Sequence, residues 1–220
     1  SAPYDPNDLT LMEQMIERSD NDSTDALAKA VIDPTFAPME VTEDMKALGI
    51  ENTYWAGFFT PGSPMLQDYK TPANQRTDFS TEPDRYAQTT PQDLGLLLED
   101  IYYCAKDYGG SFPLAFTGEI TQEECQLMVD YLALNKIGVL IQAGVPADVT
   151  VAHKHGWAYE VDDGYIHTIA DAGIVYTPGG DYILSIFAYH PVQAVFEPVN
   201  QLFAKLSQAV YSYYNLSASQ

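Results

Sequence analysis

Basic residues are scarce in this chain: ten Lys and Arg stand against 31 Asp and Glu, for a net charge of -21. Phosphate backbones and anionic lipid surfaces repel such a protein, which argues against nucleic acid and charged membranes as partners. The acid is spread along the chain and not gathered in a tail, so it reads as a solvated surface. Cysteine is rare too. Cys104 and Cys125 are too few for a zinc site or a dense disulfide framework. They fall on adjacent predicted helices, where one bridge and two buried thiols are both open readings. No run of about 18 apolar residues is present, so no membrane span is expected. No signal peptide is visible, and the opening "SAPYDPNDLT" reads as a processed end or a boundary cut from a longer chain. Internal repeats and low-complexity tracts are absent.

What is present suits a buried core: 46% of the 220 residues are apolar, enough for one large domain or two small ones. The first part reads as helical. Thr10 with Glu13 forms a capping-box pattern, followed by Met12, Met15 and Ile16 on one face. Asp22 with Asp25 is expected to start a second helix carrying Leu27, Ala30 and Val31. "SDN", residues 19–21, then lies in the tight junction between the two. A short third helix is expected from Glu43 to Leu48, ending at Gly49. From about 50 to 88 the pattern fades into a Pro-, Gly-, Asn- and Thr-rich stretch, and long irregular loops of this kind are often functional. Thr90 as N-cap and Pro91 at the first helical position open the next helix, with a stripe of Leu94, Leu97, Leu98, Ile101 and Tyr102. Thr121 and Glu124 then make a second capping box.

After Pro146 the period changes to that of strands. "DVTVAHKHGWAYE" alternates, with Val149, Val151, His153, His155, Trp157 and Tyr159 on one side. "GYIHTIADAGIVY" and "DYILSIFAY" follow, joined by "TPGGD". These predict a three-stranded antiparallel meander. An amphipathic helix from Pro198 to about Tyr214 closes the chain. The order is α+β: a helical lobe over 1–145 with its irregular loop, then a sheet and closing helix over 146–220, together one domain.

Ser19-Asp20-Asn21 at a helix junction, followed on a later strand by Lys154-His155-Gly156, resembles the penicillin-binding and serine β-lactamase family, whose motifs are S-x-x-K, S-D-N and K-T-G. The order of the surrounding segments resembles its class A-like branch over nearly the whole chain. The resemblance implies a β-lactamase/transpeptidase-like fold. It also implies acyl transfer from a β-lactam, peptidoglycan-type amide or ester to a serine nucleophile, with no cofactor, in a secreted or extracytoplasmic protein. Ser19 would relay the proton to the leaving nitrogen. Asn21 would orient the substrate's acylamino group. Asp20 would hold the junction. Lys154 would supply positive charge for the substrate carboxylate and for an ionisable hydroxyl nearby. Gly156 would let the substrate backbone lie against the strand edge, and the Trp157 N–H would serve as an oxyanion donor. Ser19, Asn21, Lys154 and His155 are expected to converge on one cleft.

Two departures from the pattern shape the expectation. None of the seven lysines has a serine three positions before it, so the Ser-x-x-Lys nucleophile is missing. The chain therefore reads as an incomplete fold, inactive alone and partnered by an N-terminal segment of the same protein. Its bared last strand, residues 181–189, would invite self-association. Class A members also carry a Glu-Pro in the long loop. Counting from Gly49, its place falls near Phe59, and the nearest candidate is Glu82 in "STEPDRY". In addition His155 replaces the usual Thr or Ser, and donates to a carboxylate only in one tautomer or when charged.

Plainer readings stand beside these. "SDN" alone is more simply a capping junction. His153, His155 and His167 could instead form a metal site, since His153-x-His155 puts two imidazoles on one strand face, but no third ligand stands out by spacing, so no metal is expected. The plainer view packs His153 near His167 and gives Asp171 a structural role. Trp55, Phe58 and Phe59 read as loop anchors. The alternative function is a catalytically silent module that binds a cell-wall or protein partner.

Overall fold

The computed structural model describes residues 4–78, 84–160 and 162–216. The chain forms two compact units, Ser1–Asp93 and Leu94–Gln220.

The first unit opens with α1 (Pro6–Arg18). Asp5 caps it, accepting from the Asn7 N–H at 2.8 Å. The Thr10–Glu13 start is thereby corrected. An Asp-Pro pair begins the helix a turn earlier, because proline at the first position loses no needed N–H. Thr10 lies inside the helix and donates to the Pro6 carbonyl. In α2 (Asn21–Val31) the cap is Asp20 and not Asp22. Asp25, expected to help start that helix, is turned inward at 2% exposure. Its carboxylate accepts from the N–H groups of Phe59 and Thr60 and from the Thr60 hydroxyl, at 2.7–2.9 Å. That is how a buried carboxylate escapes its desolvation cost. α3 (Ala37–Ala47) begins well ahead of Glu43, with Pro38 in its first turn, and Gly49 follows at φ +78°.

Beyond α3 the chain is mostly irregular, tied by a two-stranded ladder of β1 (Tyr54–Trp55) and β2 (Ala87–Gln88). Trp55 stacks on Phe59 at 5.3 Å and meets Phe58 edge-on at 5.6 Å, the anchoring expected of them. Phe58 packs with Ala28 and Ala37 in a small core.

The unit boundary falls in α4 (Pro91–Asp107). Thr90 caps it, accepting from the Asp93 N–H at 3.1 Å. In the second unit Leu98 and Ile101 are buried. After the short α5 (Phe112–Ala115) comes α6 (Gln122–Ala133), with the Thr121–Glu124 capping box formed in both directions. Cys104 of α4 and Cys125 of α6 are joined in a disulfide, which resolves the two readings left open for them.

The sheet is the expected antiparallel meander, in the order β3 (Thr150–Tyr159), β4 (Ile166–Tyr176), β5 (Tyr182–Tyr189). Its central strand, β4, is buried along nearly its whole length. The last helix, α7 (Phe196–Tyr214), starts just before Pro198. Its Phe203 is fully buried among Leu140, Ile166, Ile169 and Ala194, a contribution of roughly 1.5–3 kcal/mol for such a side chain. Ile141, Val151, Val175 and Tyr182 form a second cluster. Gly144 runs so close to α7 that a Cβ there would overlap the Ala204 carbonyl.

Candidate active site

In the first unit, Ser-Asp-Asn reverses the chain between α1 and α2. Ser19 takes the left-handed conformation, φ 54° and ψ 41°, which is uncommon for a residue with a Cβ. Asp20 is extended, and its Oδ1 accepts from the Ser23 N–H at 2.6 Å. That bond is the main reason its carboxyl lies below the ordinary aspartate range. The buried Ser23 hydroxyl donates to Gln14 Oε1 at 2.7 Å and ties the two helices together. The junction therefore caps α2, as the plainer reading holds, and the capping residue is Asp20. Ser19 and Asn21 flank it on the exposed side.

In the second unit, Lys154, His155, Gly156 and Trp157 run along β3, an outer strand of the sheet. Alternation puts His153, His155 and Trp157 on one face. Their rings form a row, with centroids 6.2 Å and then 4.8 Å apart, continued by Phe196 at 4.8 Å from Trp157. Lys154 is half-buried, and its Nζ donates to the His155 carbonyl at 3.1 Å. Burial pushes its pKa down, opposed by the negative charge of Asp171. Burial, reinforced by the charge of Lys154, drives His155 down to about 4, so its ring is neutral at ordinary pH. Open space surrounds the position where Gly156 would carry a Cβ. Past Trp157 the pairing with β4 shifts register before Tyr159. Glu82 lies outside the described residues.

The sequence reading assigned Asp171 a structural role without its partner, and it left Asn135 unnoticed. Asp171, in the middle of β4, is fully buried. It receives the Ile141 N–H at 3.1 Å and sits 2.9 Å from Nδ1 of His153. Asn135, just beyond α6, is 1% exposed and touches both histidines. The expected pairing of His153 with His167 is corrected: His153 binds Asp171 and the Asn135 carbonyl, while His167 binds Asp163 at 2.9 Å. The usable signal was an aspartate inside the apolar run "IADAGIV", since a buried carboxylate demands a partner. Among the described residues no cluster of three or more His, Cys, Asp or Glu is placed to hold a metal ion. No described helix is long and apolar enough to cross a membrane.

The profile of the β-lactamase enzyme family matches residues 6–214, and the chain belongs to that family. Among solved structures it is similar to a class A β-lactamase from Bacteroides cellulosilyticus DSM 14838, at 21% identity and a TM-score of 0.65 over 94% of this chain and 64% of that one. It is similar also to PBP-A, at 18% identity and a TM-score of 0.66, over 95% of this chain and 62% of that one. A third, the TLA-1 extended-spectrum β-lactamase, has 17% identity and a TM-score of 0.64, over 93% and 63% of the two chains. Identities this low carry the fold alone. The chain spans somewhat under two thirds of these structures. A search of curated proteins finds no match.

Proposed function

We propose that these residues form part of a serine acyl-transfer domain of the β-lactamase type, acting on a β-lactam, a peptidoglycan-type amide or an ester. The observation that carries the reading is the family match over residues 6–214, with a Lys-x-Gly strand and a Ser-Asp-Asn junction among the matched residues. In this reading Ser19 relays the proton to the leaving nitrogen, and Asn21 holds the acylamino group. Lys154 supplies charge to the substrate carboxylate, His155 donates to the same group, Gly156 gives the substrate room, and the Trp157 N–H faces the developing oxyanion. Glu82 is the candidate base for deacylation. No Ser-x-x-Lys occurs in the 220 residues, so the reading takes the attacking serine from outside them. A PBP-A variant of similar fold has been seen as its acyl-enzyme complex with penicillin G, which favours this chemistry. The Cys104–Cys125 disulfide favours an oxidising, extracytoplasmic compartment. Among the described residues β5 ends the sheet, and the reading includes self-association through residues 181–189. A dilute solution that scatters light as a monomer counts against that part.

The test is labelling with a fluorescent penicillin followed by intact-mass measurement. The 220 residues alone are expected to take no adduct. Joined to a segment bearing Ser-x-x-Lys, the protein is expected to take one, on the supplied serine, and Lys154→Ala weakens it. Labelling of the bare chain at Ser19 refutes the division of roles. A completed protein that is never labelled and hydrolyses neither ester nor lactam leaves the binding-module reading in its place.

A further inference from the structure

Asn135 Nδ2 lies 3.3 Å from the main-chain oxygen of His153 and 3.0 Å from Nδ1 of His155. A carbonyl oxygen only accepts, so the amide group turned toward it is the NH2 and not the C=O. That same nitrogen must then donate to His155 Nδ1, which presents a lone pair. In a neutral imidazole the proton consequently sits on Nε2.

Asn135 is itself held in place. Its main-chain oxygen accepts from His153 Nε2 at 2.8 Å, and His153 Nδ1 is bound by Asp171, which receives the Ile141 N–H. The network runs from β4 through β3 to the end of α6, with His153, Asp171 and Asn135 all essentially buried. The amide oxygen of Asn135 is buried without a hydrogen-bond partner among the described residues, so the amide's orientation is set by its Nδ2 contacts with the His153 carbonyl and His155 Nδ1. The low pKa of His155 agrees with a neutral ring.

We propose that Asn135 is a positioning residue that fixes His155 as a neutral Nε2–H donor, so that the central position of Lys-His-Gly offers a hydrogen bond to a ligand carboxylate. The carboxylate half rests on the reading of His155 as a substrate contact; the tautomer half does not. The arrangement supplies a donor at a place where histidine is otherwise ambiguous. Without Asn135 both tautomers are open, and the one with its lone pair on Nε2 repels an anion.

The test is a long-range proton–nitrogen NMR correlation of the 15N-labelled protein at neutral pH, with His155 assigned by the loss of its signals in His155→Gln. We expect Nε2 protonated and Nδ1 bare in the wild type. Asn135→Ala is expected to average the two nitrogens, and Asn135→Asp to move the proton to Nδ1, because a carboxylate can only accept there. A purely structural asparagine would leave the tautomer where it is. A wild-type His155 that carries its proton on Nδ1, or on both nitrogens, overturns the proposal. The wild-type spectrum alone decides that point, so a variant that fails to fold does not shelter it. Benzylpenicillin is then added. A change at His155 Nε2 that its methyl ester does not produce supports the carboxylate contact. No change with either compound, or the same change with both, overturns that half and leaves the tautomer standing. Failure of the acyl-transfer reading is scored separately, by the penicillin labelling.

Discussion

The Asp171 carboxylate on β4 lies 2.9 Å from Nδ1 of His153 on β3, and both side chains are fully buried. The other ring nitrogen of His153 faces the Asn135 carbonyl at 2.8 Å. Both nitrogens of one ring thus face oxygen, so a proton must lie between ring and carboxylate in addition to the one on Nε2. Gly173 stands directly across from His153 in the ladder and leaves room for the close approach of its Cβ.

Removing one member of such a pair leaves the other buried and unmatched. Asp171→Ala should therefore cost about 3–5 kcal/mol, because both His153 Nδ1 and the Ile141 N–H lose their acceptor. Asp171→Asn, which keeps the shape and one acceptor oxygen, should cost less. Urea unfolding of the two variants measures the difference. Equal, small losses would mean that the pair is replaceable by packing.

A Cβ added at Gly173 would come 2.6 Å from that of His153. Since β3 and β4 are held in register by the ladder, neither strand can easily retreat. Gly173→Ala should destabilise by about 1–3 kcal/mol through overpacking. Thermal unfolding reads this directly, and an unchanged midpoint would show that the strands do part.

His155 has a folded pKa of about 4, depressed from 6.5 by burial and by the charge of Lys154. The unfolded chain therefore binds the proton more readily than the folded one between those two values. By linkage this contribution to stability is complete above pH 6.5, declines as pH falls toward 4, and is flat below that. His155→Gln should flatten that part of the curve of stability against pH. NMR titration of the wild-type ring should show its midpoint near 4; a midpoint close to 6.5 would count against the buried, neutral ring.

The Cys104–Cys125 bridge joins α4 and α6 across 21 residues of sequence. Closing a loop of this size in the unfolded chain is worth about 3 kcal/mol on the chain-entropy account. The double substitution Cys104→Ala with Cys125→Ala should lower stability by about that amount in denaturant unfolding, without changing the far-UV circular dichroism. A loss of native helix signal would instead give the bridge a part in forming the fold.

Much of the architecture was written locally, and local chemistry is readable. The Thr121–Glu124 box, the Thr90-Pro91 start, the stripe through Leu98 and Ile101, and the alternation along β3 each depend on residues within a few positions of one another. The same is true of the Ser19–Asn21 junction. Local rules failed where two were in competition: Asp5-Pro6 outbid Thr10 for the start of α1, and the inward turn of Asp25 depended on a loop far along the chain that needed its carboxylate. The contacts that His153 and His155 make on this strand were beyond local reading altogether. Asn135 meets His155 because the end of α6 is carried against β3, and Asp171 meets His153 because the β3–β4 register places them one step apart on a common face. Spacing along the chain cannot reveal such pairs. They are chosen by the register of the sheet and by the cost of leaving groups as deeply buried as His153 and Asp171 without a partner.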